Sequence, residues 1–240
     1  MRVHFISIGG AVMHNMALAL HNMGFKVSGS DDEVFEPALS RLKTKGLLPE
    51  NFGWDENRIT ADIDFIILGM HAKAENPELI KAKALGLKIY SFPEYVHEHS
   101  KNKIRIVVGG SHGKTSTTAM IMHVLMHQGI DFDYLVGSQL EGFETMVKLS
   151  NAPLIIIEGD EYLTSALDLK PKFHWYKPHI AILTGIAWDH INVFPTYPFY
   201  VEQFKIFIDS IEQGGTLIYS EEDNDLTELA LDAKCLALPY

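Results

Sequence analysis

Cysteine is almost absent. Cys235 is the only one in 240 residues, which excludes an intrachain disulfide framework and any cysteine-based metal site. Long apolar runs are missing too. The longest, such as Leu154 to Ile157, fall far short of a bilayer span, and Met1-Arg2 leads into a strand pattern without a signal-peptide signature. The expectation is a cytoplasmic protein with no membrane partner. Positive charge is scarce: 20 Lys and Arg stand against 31 Asp and Glu, a formal net charge of -11, and no basic cluster with interleaved aromatics offsets it. That balance argues against nucleic acid, and an anionic ligand would have to be drawn in by local donors against an unfavourable global field. There is neither an internal repeat nor a low-complexity segment. What remains is a globular chain, 47% hydrophobic, long enough for one large or two ordinary domains.

The stretch that organises the rest is Val107-Val108-Gly109-Gly110-Ser111-His112-Gly113-Lys114-Thr115-Ser116-Thr117-Thr118. Ile104 to Val108 reads as a buried strand, and Lys114 to Gln128 as a helix with Ala119, Met122, Leu125 and Met126 at helical spacing before a stop at Gly129. A glycine turn between strand and helix lets backbone N–H groups approach phosphate oxygens, and the helix N-terminus adds partial positive charge. Lys114 then reaches the outer phosphates, and the Thr115 hydroxyl can sit on a magnesium ion. A strict GxxxxGK[ST] pattern would need glycine where Val108 stands, so this loop is one residue shorter, Gly109 to Gly113.

Upstream, Arg2 to Ile8 reads as a strand ending in Gly9-Gly10, Val12 to Met23 as a helix closed by Gly24, and Lys26 to Ser28 as a second strand. Asp31 follows the turn by about twenty residues, where a ribose-binding acid is expected. A GxGxxG fingerprint would place glycines at 7, 9 and 12, however, and Ser7 and Val12 occupy two of those positions. NAD is therefore disfavoured, and a Rossmann-like domain holding another nucleotide at the same strand ends is the better reading. Pro37 to Lys45 and Pro77 to Leu85 read as helices, Asp64 to Leu68 and Lys88 to Ser91 as strands, with His71 just past the end of the former. Residues 92 to 103 are polar enough to be the exit from this domain, which places a boundary near Lys103.

Beyond the phosphate loop, the buried strand Pro153 to Ile157 ends in Glu158-Gly159-Asp160-Glu161. Glu158, the first polar residue after the run, is the expected carboxylate of the magnesium site. Ile180 to Thr184 is a third strand of this kind, followed by Asp189-His190, a metal-capable pair. The aromatic stretch Phe194 to Phe207 reads as packing, and Thr216 to Ser220 and Lys234 to Leu238 as two further strands around a short helix.

In order and spacing, His4 to Met13, Val27 to Asp31, Gly110 to Thr115 and Asp189-His190 resemble the Mur ligase family, ATP-dependent amide ligases that build the peptidoglycan precursor in the bacterial cytoplasm. The resemblance looks strongest to the branch acting on UDP-N-acetylmuramic acid. That branch comprises the L-alanine-adding enzyme and the recycling ligase that attaches L-Ala-γ-D-Glu-meso-diaminopimelate. It implies an α/β chain: a Rossmann-like UDP-sugar domain over residues 1–103, then a phosphate-loop ATPase domain over 104–240. With about 125 residues after the loop, that second domain is expected to be incomplete and a third, acceptor domain absent, so the chain alone is expected to form no amide. Carried over by position, Gly9, Gly10, Ser30, Asp31 and His71 would lie at the UDP group. Gly110, Ser111, His112, Gly113, Lys114, Thr115 and Ser116 would hold the ATP phosphates. Thr115 and Glu158 would ligate one Mg2+ and His190 a second ion, with Lys114, Glu158 and His190 serving catalysis.

The chain departs from the family pattern at Ser7, Val12 and Gly185, where many members have glycine, glycine and asparagine. Glu161-Tyr162 and Lys172 to Pro178 look closer to the tripeptide-adding ligase, whereas Leu163 stands where that enzyme usually has aspartate. L-alanine therefore remains the alternative amine. A nucleotide-binding module without catalysis remains the alternative of another class.

Overall fold

The structure, a computed structural model, describes residues 1–165 and 167–240. The chain folds as two compact units. The first is Met1–Tyr95 with Val147–Leu149 and Thr164–Leu169, and the second is Val96–Met146 with Ser150–Leu163 and Lys170–Tyr240.

The first unit alternates strand and helix: β1 (Arg2–Ile6), α1 (Ala11–Asn22), β2 (Lys26–Ser30), α2 (Ala38–Thr44), β3 (Phe65–Leu68), α3 (Pro77–Ala84) and β4 (Lys88–Ser91). The strands form one parallel sheet in the order β2-β1-β3-β4. Val3, Phe5 and Ile6 of β1 and all four residues of β3 are buried, as expected of a parallel sheet covered on both faces. Local signals set the helix ends. The side chain of Asn76 accepts from the N–H groups of Glu78 and Leu79 at 3.0 and 3.1 Å, and Pro77 opens α3. Ile6 pairs with Ser30 on one side and Leu68 on the other, so the segments starting at Ser7, Asp31 and Gly69 leave the sheet at one level.

Residues 92–103 were expected as the exit from the first domain. They carry helix α4 (Phe92–Ser100), and the division between the units falls inside it, at Tyr95/Val96. A capping box starts this helix: Ser91 Oγ accepts from Glu94 N–H at 3.3 Å, while a Glu94 carboxylate oxygen accepts from Ser91 N–H at 3.2 Å.

The remaining elements are β5 (Ile104–Gly109), α5 (Lys114–His127), β6 (Asp133–Leu135), β7 (Val147–Lys148), β8 (Leu154–Glu158), β9 (Ile180–Leu183), α6 (Tyr197–Asp209), β10 (Thr216–Tyr219), α7 (Asn224–Leu231) and β11 (Leu236–Pro239). Within the second unit the sheet runs β11-β10-β9-β5-β8-β6, all parallel. The aromatic stretch builds core: Tyr200, Phe204 and Phe207 of α6 are buried, with Phe173 stacked on Phe207 at 4.6 Å. Met122 and Thr118 carry the buried face of α5, whereas Met126, expected on that face, is exposed.

Candidate functional site

Three adjacent strands of the second unit deliver one set of side chains. Register sets Val108 opposite Glu158 and Gly109 opposite Leu183, so loop 109–113, the acidic turn 158–161 and segment 184–190 leave the sheet together. From β5 the chain crosses to β6, beyond β8 on one side, comes back to β8 and then passes to β9 on the other side. Strand order reverses around β5, and such a switch point is where open α/β sheets hold ligands.

The loop has a shape that only part of its sequence can adopt. Gly110 and Gly113 have φ of 124° and 82°, and a Cβ on Gly110 would run into the Thr184 hydroxyl. Thr184 fixes the loop from its carbonyl side: its N–H donates to Gly109 O at 3.1 Å and its hydroxyl to Gly109 O at 3.2 Å and to His112 O. Ser111 is committed inward. Its N–H donates to Gly185 O at 2.9 Å, and its buried hydroxyl lies 2.9 Å from Tyr200 OH and accepts from Ala187 N–H at 2.8 Å. His112, Gly113 and Ser116 are exposed, with Lys114 and Thr115 half-buried.

Lys114 and Thr115, at the first turn of α5, face different carboxylates. The Thr115 hydroxyl donates to Glu158 Oε1 at 2.9 Å, and Glu158 Oε2 accepts from Gly137 N–H at 3.1 Å. The Lys114 ammonium donates to Gly110 O at 2.5 Å and to both oxygens of Glu161, at 2.9 and 3.2 Å. Glu161 is only 1% exposed, and burial pushes its carboxyl up although Lys114 pulls the other way. Asp160 turns elsewhere, to Lys172 at 2.5 Å; burial would raise its carboxyl, but Lys172 and the Tyr162 N–H hold it below the usual range.

His190 completes the group. Its Nε2 is 3.6 Å from Glu161 Oε1 and 3.9 Å from Asp189 Oδ2, and ligand atoms of Glu161, Asp189 and His190 all lie within 4.8 Å of one another. Two carboxylates and an imidazole at that spacing are a donor set that fits a divalent cation. His190 holds φ at 53°, and Tyr162 packs edge-on against its ring at 5.0 Å while accepting from Asn192 Nδ2 at 3.2 Å. Glu161 is the participant that sequence reasoning passed over. The acidic turn offered three acids, and only burial tells which of them points inward.

In the first unit the residues expected at a ligand form a smaller constellation. Gly9 N–H donates to Asp31 Oδ2 at 2.7 Å and Asp32 N–H to Asp31 Oδ1 at 3.0 Å. A Cβ on Gly9 would approach that carboxylate oxygen to 2.9 Å, so glycine is needed for this closeness. Burial pushes the Asp31 carboxyl up to about 6, against the pull of the Gly9 N–H. Gly10 is exposed at the start of α1. Ser7, where a fingerprint glycine would stand, has a glycine-like φ of 70°. Ser30 is fully buried and its hydroxyl donates to Glu78, while His71 is exposed in the turn after β3.

Residues 2–104 match the family described as Mur ligase family, catalytic domain, and residues 108–238 the Mur ligase middle domain. The chain belongs to the Mur ligase family. It is 33% identical over 240 residues to the UDP-N-acetylmuramate–L-alanine ligase of Clostridium perfringens, covering 100% of this chain and 50% of that protein. It is 31% identical over 229 residues to the UDP-N-acetylmuramate–L-alanyl-γ-D-glutamyl-meso-2,6-diaminoheptandioate ligase of Haemophilus influenzae, covering 94% and 50%. The chain thus spans about half the length of the curated relatives it matches. Among solved structures, the UDP-N-acetylmuramate:L-alanyl-γ-D-glutamyl-meso-diaminopimelate ligase from Neisseria meningitides superposes with a TM-score of 0.87 at 28% identity, over 99% of this chain and 76% of that one. No helix among the described residues of this Mur ligase chain is long and apolar enough to cross a membrane.

Proposed function

We propose that this chain supplies the UDP-sugar and ATP sites of a cytoplasmic ligase that joins the carboxylate of UDP-N-acetylmuramic acid to an amine. The amine in this reading is the tripeptide L-Ala-γ-D-Glu-meso-diaminopimelate. The observation that carries the proposal is the convergence of Lys114, the Thr115–Glu158 pair and the Glu161–Asp189–His190 group at the ends of three neighbouring strands.

Gly110 and His112 to Ser116 cradle the ATP phosphates while Ser111, committed inward, holds the loop in shape, and Lys114 neutralises charge developing on the transferred phosphoryl group. Thr115 with Glu158 holds one Mg2+, and His190 with Glu161 and Asp189 a second cation. These cations supply the positive charge that lets a carboxylate nucleophile approach ATP. The muramate carboxylate attacks the γ-phosphorus and ADP leaves; the amine attacks the resulting acyl phosphate and inorganic phosphate leaves. Gly9, Gly10 and Asp31 hold the UDP group with His71. Ser30 contributes through its place ahead of Asp31, since its hydroxyl is held by Glu78.

The tripeptide reading draws support from the TM-score of 0.87 to the Neisseria ligase, and L-alanine from the 33% identity to the Clostridium enzyme. The open reading frame that encodes this chain, expressed with ATP, Mg2+, UDP-N-acetylmuramate and either amine, is expected to give the tripeptide product by mass spectrometry. L-alanine product alone would replace the tripeptide reading. Lys114→Ala in that protein is expected to lower turnover at least ~100-fold, the scale of losing one positioned charge in phosphoryl transfer, while UDP-N-acetylmuramate binding persists by calorimetry. Near-normal turnover would overturn the assignment.

A further inference from the structure

The ammonium of Lys114 and the imidazole of His190 converge on the same carboxylate. Glu161 Oε1 is 3.2 Å from Lys114 Nζ, 3.6 Å from His190 Nε2 and 3.5 Å from Tyr200 OH; Oε2 is 2.9 Å from Lys114 Nζ. At 1% exposure, Glu161 has no room to exchange these neighbours for water. A carboxylate that donates electron density to a divalent ion at ordinary metal–oxygen distance cannot keep an ammonium within hydrogen-bond reach of both oxygens without strong like-charge repulsion. Among the described residues the other hydrogen-bond partner of Lys114 is Gly110 O, a neutral acceptor.

We propose that Lys114 and a divalent cation compete for Glu161, so that the phosphate-binding lysine gates metal occupancy of the Glu161–Asp189–His190 group. Without nucleotide, Lys114 holds Glu161 and the group binds the ion weakly. When a phosphate draws the ammonium away, Glu161 is released to the ion, and by linkage a bound ion frees Lys114 for phosphate. Anion and cation then load as a coupled pair through one side chain. This inference rests on the proposed phosphate and metal roles of the site and assigns their order of dependence.

The test needs no nucleotide and no turnover. Mn2+ binding to the nucleotide-free 240-residue chain is measured by electron paramagnetic resonance of the free ion. Lys114→Met removes the competing charge and is expected to raise Mn2+ affinity at least tenfold over wild type. Lys114→Arg keeps the charge and is expected to bind like wild type. Adding Glu161→Gln to Lys114→Met is expected to abolish the gain, placing the ion on Glu161. The proposal is overturned if Lys114→Met binds Mn2+ no more tightly than wild type, if Lys114→Arg shows the same gain, or if the gain survives Glu161→Gln. A gain that obeys all three, with the protein of the whole open reading frame forming no amide with either amine, would leave the coupling standing and remove the ligase reading.

Discussion

Glu78 sits at 0% exposure on α3 and collects partners from across the first unit. Its Oε2 lies 3.4 Å from His4 Nε2 and accepts from the Ser30 hydroxyl; its Oε1 accepts from Asp55 N–H at 3.0 Å and is 3.4 Å from Arg58. Burial alone would raise its carboxyl, but the hydrogen bonds from His4, Ser30 and Asp55 outweigh it and hold the carboxyl below its ordinary value. Glu78→Ala would strand several buried donors, and removing one member of a buried charged network costs about 3–5 kcal/mol. Glu78→Gln keeps the shape but presents an NH2 where two donors converge, so its cost should be about 1–2 kcal/mol. Trp54 packs against the apolar cluster around Ile66 and Leu79, and a variant carrying Trp175→Phe and Trp188→Phe leaves it as the only indole reporting urea unfolding. With m of about 1–2 kcal/mol/M for a unit this size, Glu78→Ala should lower the midpoint by roughly 2 M or more. The sign with pH follows from the lowered carboxyl: its stabilisation is present above the unfolded-state pKa and is lost as pH falls through the folded value. The gap between wild type and Glu78→Gln should therefore shrink on acidification. A Glu78→Ala midpoint within about 0.5 M of wild type, or a gap that widens in acid, would refute this account.

Asp31, pushed up to about 6 by burial, carries the opposite sign: the first unit loses up to about 3 kcal/mol as pH rises from 4 to 7, because the unfolded chain gives up this proton first. Asp31→Asn should flatten that part of the Trp54-reported stability profile, and an unchanged slope would show that another group titrates. Gly110→Ala should weaken binding of a non-hydrolysable ATP analogue at least tenfold in calorimetry, since φ of 124° and the Thr184 hydroxyl both oppose a Cβ, leaving Trp54-reported stability unchanged. Ser7→Gly relieves a left-handed residue worth about 1–2 kcal/mol against about 0.5–1 kcal/mol of added unfolded-chain entropy, so thermal unfolding should show a net gain of up to about 1.5 kcal/mol.

Strands β3 and β8 were legible because their runs, Phe65–Leu68 and Leu154 to Ile157, are apolar on both faces and bounded by glycine or proline, and β1 and β5 because mostly apolar stretches lead into the two glycine turns. Helix α4 was hidden by its polar composition, yet Ser91 and Glu94 spelled its capping box. Strand β6 was missed because its first residue is an aspartate. Asp133 is tolerated in the interior because Lys103 donates to it at 2.6 Å and the Ser150 hydroxyl at 2.6 Å, with His99 Nε2 3.5 Å away, partners distant in sequence. The same reason concealed Glu78 and Glu161. A buried acid is recognised by what surrounds it, and those neighbours are brought in by topology rather than by spacing. Thr115 and Glu158 could be paired in advance because the phosphate-loop pattern fixes Thr115 at the start of a helix and Glu158 directly follows an apolar strand run.

The φ of 53° at His190 narrows what any descendant of this sequence can place there. Left-handed backbone away from glycine is populated chiefly by asparagine, aspartate and histidine. Oxygen and imidazole ligands for a divalent ion come from the same residues. A drifting lineage that keeps the turn therefore keeps a coordinating side chain almost by default. An alanine substitution here would remove the ring and strain the turn together. His190→Asn is the substitution that separates the two, retaining the backbone and a single oxygen donor while withdrawing the imidazole.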